Sequence, residues 1–153
     1  MVSFKKIVVT TDLSENADAA LPYALELARK WGGELRLVHV LEDVVYYANP
    51  AAAEGMVPVE WMVANRKDRE AQLRQRAENL AKKENVTVKD VLLQGHAANA
   101  IVDYVKTEKA DCVVIATHGR TGLTHFLFGS VAERVLRLSP APVLSVRPAA
   151  MKQ

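Results

Sequence analysis

The chain has 153 residues, which at about 150 residues per domain makes one domain and leaves no room for a separate regulatory module. Half of the residues are hydrophobic and 25% are charged, ordinary values for a folded globular chain and unlike those of a disordered one. Lysine and arginine total 20 against 18 aspartates and glutamates, a formal charge of +2, so no strong field directs the protein to nucleic acid or a membrane surface. The single cysteine, Cys112, cannot form an internal disulfide or a Cys-rich zinc framework, and fits a reducing compartment. The N-terminus offers only Ile7, Val8 and Val9 before Thr10, too short for a signal peptide, and no segment approaches the ~20 apolar residues of a spanning helix. A soluble, cytoplasmic protein is expected.

Short β-branched runs alternate with longer stretches of helical period, the pattern of a parallel sheet covered by helices. The first strand is Lys6 to Thr10, continuous and apolar at its centre as a strand buried on both faces should be. A helix from about Ser14 to Trp31 follows, with Ala17, Leu21, Ala24, Leu25 and Ala28 as one stripe and Gly32-Gly33 as its stop; Pro22 inside it predicts a kink. The second strand is Glu34 to Val40. From Leu41 to about Val59 neither period is clean, and this is read as a long loop. A helix from about Glu60 to Asn85 has the stripe Leu73, Ala77, Leu80 and Ala81, with Glu70, Arg74, Glu78 and Lys82 on its outer face. The third strand is Thr87 to Leu93, the next helix Ala97 to Lys106, the fourth strand Cys112 to Ala116, the last helix Val131 to Leu138, and the fifth strand Val143 to Arg147 between two prolines. No repeat, low-complexity block or linker divides the chain, so residues 1–153 form one domain.

The sharpest chemical feature is Ala116-Thr117-His118-Gly119-Arg120-Thr121-Gly122 after the fourth strand, followed by Gly129-Ser130-Val131 at a helix start. Glycines let an oxyanion approach the backbone, and the free N–H groups and dipole of a helix start attract it. Ser130 and Glu133 read as a Ser-x-x-Glu capping box; glycines before a capped helix also serve purely structural ends. In a parallel sheet the ends of all strands lie on one side, so Thr10-Thr11-Asp12 faces the same crevice as Ala116 to Gly122. Asp12 at a strand end suits a base amino group or a ribose hydroxyl, while the structural alternative is that Asp12 or Ser14 only caps the first helix; both roles can hold at once.

The runs Val-Val-Thr-Thr-Asp-Leu-Ser-Glu-Asn-Ala, Leu-Val-His-Val, Ala110-Asp111, Ala-Thr-His-Gly-Arg-Thr-Gly-Leu, Phe-Gly-Ser-Val-Ala-Glu and Ala-Pro-Val-Leu-Ser-Val-Arg together resemble the universal stress protein family over essentially the whole chain. The resemblance implies a three-layer, doubly wound α/β fold, Rossmann-like and of the adenine nucleotide alpha hydrolase type, with a five-stranded parallel sheet in the order 3-2-1-4-5. It also implies a site. The pattern G-x2-G-x9-G-[ST] of ATP-binding members maps onto Ala116, Gly119, Gly129 and Ser130 with its spacing intact and its first glycine replaced. That departure is mild if position 116 is extended and more serious if it is not.

Carried over residue by residue, Thr10 and Asp12 would border the adenosine and Val40 would meet the adenine edge. Gly119, Arg120 and Thr121 would wrap the phosphates, with Ser130, Val131 and Ala132 supplying helix-start contacts. Family members often have proline where Thr10 stands. The implied ligand is ATP or another adenine nucleotide, with Mg2+ or Mn2+ held through the phosphates, in a dimeric stress-response sensor or regulator. No P-loop, no dinucleotide fingerprint and no evident pair of catalytic groups accompany this, so binding rather than turnover is expected, with slow hydrolysis or autophosphorylation as the most the family implies. A nucleotide-free interaction protein of the same fold, working through its dimer and the Leu41 to Val59 loop, is the alternative. The fifth strand, Val143 to Arg147, reads either as a proline-guarded edge or, as in the family, as the strand that pairs with its copy in a second subunit.

Weaker candidates read as structure. Cys112 is expected as a core thiol, Trp31 and Trp61 as core or interface residues, and Arg66 to Glu70 as a solvated helix face. His39, His96 and His125 show no metal-ligand spacing, and His118 reads as a ribose or phosphate contact or as an ordinary packed histidine.

Overall fold

The fold begins with β1 (Lys6–Thr10), whose Ile7, Val8 and Val9 are fully buried. Alternate side chains of a strand point to opposite faces, and here both faces are covered. Ile7 and Val9 enter one apolar cluster and Val8 another. The computed structural model describes residues 1–42, 58–118 and 129–149. Within these, β1 is followed by α1 (Glu15–Asp18), α2 (Leu21–Trp31), β2 (Glu34–Leu41), α3 (Val59–Glu84), β3 (Val88–Gln94), α4 (Ala97–Glu108), β4 (Cys112–Ala116), α5 (Ser130–Leu138) and β5 (Val143–Val146). The strands form one five-stranded sheet in the order β3-β2-β1-β4-β5, and every pairing is parallel. This is the doubly wound arrangement that the family resemblance implies.

The two clusters make the three layers. On one face, Ile7, Val9, Leu35, Leu37 and Val114 pack against Ala24, Leu25 and Ala28 of α2 and Leu73 and Ala77 of α3. On the other, Val8, Val38, Val113 and Ile115 pack against Ala98, Ile101 and Val105 of α4 and Ala132 and Val135 of α5. Each fully buried branched side chain is worth about 1.5–3 kcal/mol relative to exposure. A one-residue slip of any central strand would exchange the two sets.

Two glycines fix the α2–β2 corner. Gly32 takes a left-handed φ of 57° and ends α2, while the Gly33 N–H bonds the Ala28 carbonyl at 2.9 Å. Gly33 also lies against β1's approach: a Cβ there would stand 2.6 Å from the Phe4 carbonyl oxygen. At the opposite edge of β1, the Asp111 carboxylate oxygen Oδ2 accepts both the Lys5 and Lys6 N–H groups at 2.8 Å.

Beyond shifts of one or two residues at element ends, such as β5 ending at Val146 rather than Arg147, the structure departs from the sequence reading in three places. The first helix is two helices, α1 and α2, broken at Ala19 and Ala20 rather than kinked. Pro22 consequently falls in the first turn of α2, where its missing N–H leaves no helical bond unmade. The Ser130–Glu133 capping box is absent. Gly129 is the N-cap, Ser130 is the first helical residue, and the Glu133 N–H bonds the Gly129 carbonyl at 3.0 Å as an ordinary helical bond. Finally, β2 reaches Leu41, and most of the expected Leu41 to Val59 loop lies outside the described residues.

Candidate functional site

The chain runs from β1 outward through β2 to β3, then returns to place β4 on β1's other side. The order therefore reverses between β1 and β4, and the crevice beyond their C-terminal ends is where ligands bind in sheets of this kind. Thr10, Thr11 and Asp12 leave β1 there, and Ala116, Thr117 and His118 leave β4. Val40 stands near the end of β2, beside Leu93 of β3.

The turn after β1 is tightly bonded. The Thr11 N–H donates to the Val38 carbonyl at 2.9 Å, the Leu13 N–H donates to Thr11 Oγ1 at 3.0 Å, and the Thr11 carbonyl lies 2.9 Å from His39 Nδ1. Asp12 Oδ1 accepts the Ser14 N–H at 2.9 Å and also the Ser14 hydroxyl. Ser14 is the N-cap of α1, accepting the Ala17 N–H at 3.3 Å. The capping role foreseen for this pair thus falls to Ser14, and Asp12 holds the residue that caps. Between them Leu13 has a φ of 66°, a left-handed conformation that costs a residue with a Cβ about 1–2 kcal/mol.

On the β4 side, Ala116 is the last residue of the strand, extended and buried, with its methyl in the core cluster. Alanine therefore replaces the motif's first glycine without backbone strain. The Thr117 N–H donates to the Val146 carbonyl at 2.8 Å, its carbonyl accepts the Gly129 N–H at 2.6 Å, and its hydroxyl lies 2.9 Å from His118 Nδ1. Gly119, Arg120 and Thr121 lie outside the described residues.

The Thr117–Gly129 bond sets the start of α5. It satisfies the N-cap amide, leaving the Ser130, Val131 and Ala132 N–H groups as the ones that have no partner within the helix. No side chain caps them at Gly129. Such a helix start attracts an anion through its amides and dipole.

A cavity of about 480 Å³ reaches this helix start through Ser130 and Val131, but its other walls are Glu42, His96, Glu133, Arg134, Arg137 and Leu138. It lies alongside α5 and does not include Thr10, Asp12 or Val40. Among the described residues no cluster of His, Cys, Asp and Glu could hold a metal ion. Burial pushes the Cys112 thiol above its ordinary value, away from nucleophilic use. The Phe4 and Trp31 rings meet edge to face at 5.8 Å, as structural aromatics do, while Trp61 is exposed on α3. His39 is the residue that spacing did not single out. It follows the buried Leu35 and Leu37 on the same face of β2, and that register was the available signal.

Residues 3–147 match the model of the universal stress protein family. A universal stress protein of Methanocaldococcus jannaschii is 31% identical over 144 residues, spanning 94% of this chain and 82% of that one. The solved structure of a universal stress protein from Lactobacillus plantarum superposes with a TM-score of 0.80 at 24% identity, covering 96% of this chain and 100% of the other. A universal stress protein solved in complex with cAMP superposes with a TM-score of 0.67, also at 24% identity, covering 96% and 99%.

Proposed function

The chain belongs to the universal stress protein family, and from that premise we propose that it binds ATP or another adenine nucleotide in the crevice between β1 and β4. The observation that carries this reading is that the Asp12 turn follows β1 and the Thr117–Gly129 tie to α5 follows β4, at the same ends of neighbouring strands where strand order reverses. Thr10 and Asp12 border the adenosine, and Val40 meets the adenine edge. Ser130, Val131 and Ala132 direct their amides to phosphate, completed by Gly119, Arg120 and Thr121. The residues fit the group: the three helix-start amides match phosphate oxygens, and Ala116 adds no positive-φ strain beside them. The cAMP complex of a relative of the same fold supports an adenosine ligand. Mg2+ or Mn2+ would be held through the phosphates.

Nucleotide occupancy makes the protein a sensor or regulator of a stress response rather than a fast catalyst, working as a dimer through β5. Its one cysteine, Cys112, is buried and can form no internal disulfide, and a cytoplasmic location is part of this reading. No helix among the described residues is long and apolar enough to cross a membrane. Isothermal titration of ATP into the purified protein, with and without Mg2+, tests the reading. Saturable one-to-one binding, weakened by Asp12→Ala and by Gly119→Val, is expected. Absence of binding under both conditions would return the protein to the nucleotide-free interaction reading.

A further inference from the structure

We propose that His39 is a positioning residue for this site: through the Thr11 carbonyl it sets the peptide that leads into Asp12, and so the direction in which the Asp12 carboxylate faces the crevice. The proposal rests on the nucleotide reading above and adds to it a residue on β2 that would touch no nucleotide. His39 is buried, and its Nδ1 stands 2.9 Å from the Thr11 oxygen. A carbonyl has only lone pairs to offer, so Nδ1 carries the proton and donates.

With that bond Thr11 is held at all of its polar groups. Its N–H is bonded to Val38, its hydroxyl oxygen to the Leu13 N–H and its carbonyl to His39. Two of the three partners are on β2, the strand that also carries Val40. The clamp has strain to restrain, because Leu13 next to Asp12 is left-handed without being glycine, and such conformations persist only where their surroundings over-determine them. Releasing the Thr11 carbonyl lets the 11–12 peptide rotate, relaxes Leu13, and dissolves the turn in which Asp12 Oδ1 accepts from Ser14.

Two substitutions separate positioning from packing. His39→Asn puts an amide N–H where Nδ1 stood, since both are attached to Cγ, whereas His39→Leu fills similar space with no donor. In the ligand-free protein, amide exchange at Leu13 and Ser14 should be about tenfold faster in His39→Leu and near wild type in His39→Asn. ATP affinity should follow, about tenfold weaker in the leucine variant and restored in the asparagine one. Nitrogen NMR of the wild-type ring should show the proton on Nδ1. Wild-type exchange in His39→Leu, asparagine behaving like leucine, or a proton found only on Nε2 would each overturn the proposal; the last reading needs no variant to fold. If wild type binds no ATP, the nucleotide reading fails by itself, and the ligand-free exchange still decides whether His39 holds the turn.

Discussion

The Gly129 N–H donates to the Thr117 carbonyl at 2.6 Å, tying the end of β4 to the start of α5 across residues 118–128. A Cβ on residue 129 would stand 3.0 Å from that same oxygen. The backbone at Gly129 is extended, with φ −70° and ψ 155°, so the demand on this position is one of space and not of chirality. Gly129→Ala should therefore keep the fold but lengthen the bond. A loss of about 1 kcal/mol in urea unfolding and several-fold weaker ATP binding are expected. Unchanged stability together with unchanged affinity would show that the tie does not shape the helix start.

Asp111 has a comparable role at the other end of the sheet. One carboxylate oxygen receives the N–H groups of Lys5 and Lys6, and the Asp111 N–H in turn donates to the Lys6 carbonyl at 2.8 Å. Asp111→Ala leaves the two donors at the entry to β1 without that acceptor. A loss of about 1–2 kcal/mol is expected, measured by urea unfolding, with Asp111→Asn recovering part of it. Because the proposed nucleotide crevice lies at the opposite ends of the strands, ATP affinity measured where the variant is folded should not change.

The contrast between these two contacts shows what could be read before folding. Ile7-Val8-Val9 and Val113-Val114-Ile115 announce central parallel strands, because burial on both faces needs no alternation. The parallel arrangement then places Thr10 to Asp12 and Ala116 to His118 at one end, so the positions of the crevice follow from the strand pattern. Periodicity cannot see the break between α1 and α2, since Ala17 and Leu21 are both buried and continue one stripe across it. Ser-x-x-Glu likewise lacks a frame: Gly129 becomes the N-cap because of its bond to Thr117, a contact that no local pattern encodes. The role of His39 was obscured for the same reason, its partner Thr11 lying in the turn after β1. Ala110-Asp111 could be matched to the family, but its bonds to Lys5 and Lys6 required the fold.

Gly33 tests the packing of the α2–β2 corner. Its would-be Cβ meets two backbone oxygens, Phe4 at 2.6 Å and Lys5 at 2.8 Å, neither of which can swing aside like a side chain. The Glu34 N–H also donates to the Lys5 carbonyl at 2.8 Å, so moving one strand from the other sacrifices a ladder bond. Gly33→Ala should cost about 1–3 kcal/mol, whereas an alanine at Gly95, where nothing stands within 4 Å, meets only its φ of 121°. Thermal unfolding of Gly33→Ala at the wild-type midpoint would contradict the close approach.

Two carboxylates give acid stability opposite slopes. Hydrogen bonds hold the Glu34 carboxyl below its ordinary value of 4.5, that from Lys89 Nζ at 2.9 Å foremost and that from Arg36 also lowering it, against the upward pull of burial. The folded state thus binds this proton less readily than the unfolded chain. Its contribution is fully present above 4.5 and is lost as pH falls through the lower folded value. Burial chiefly raises the Asp18 carboxyl above 3.8, in spite of Arg76 beside it. That term favours folding at low pH and fades as pH rises from 3.8 through the raised folded value. Urea unfolding from neutral pH down to about pH 3 should show Glu34→Gln with a shallower acid loss than wild type and Asp18→Asn with a steeper one. Parallel curves for all three proteins would contradict both assignments.

β5 is the edge of the sheet beside β4. The Val113 N–H bonds the Pro142 carbonyl at 2.9 Å and the Thr117 N–H bonds the Val146 carbonyl, so the even-numbered residues of β5 face β4. The N–H and C=O groups of Val143 and Ser145 then point away from it, ready for another strand. Leu144, on the face of the sheet opposite α5, is exposed at this edge, and so are Leu136 and Leu138 of α5 on the other face. A second copy related by a two-fold axis would satisfy the backbone edge and cover Leu144 beside it. Light scattering should give the mass of two chains. Ser145→Pro, which removes an outward N–H, and Leu144→Lys, which charges the exposed surface, should each shift the protein toward one chain while leaving the β4–β5 pairing intact. If both remain dimeric, the subunits meet through another face; if wild type is monomeric, β5 ends the sheet as a proline-flanked edge.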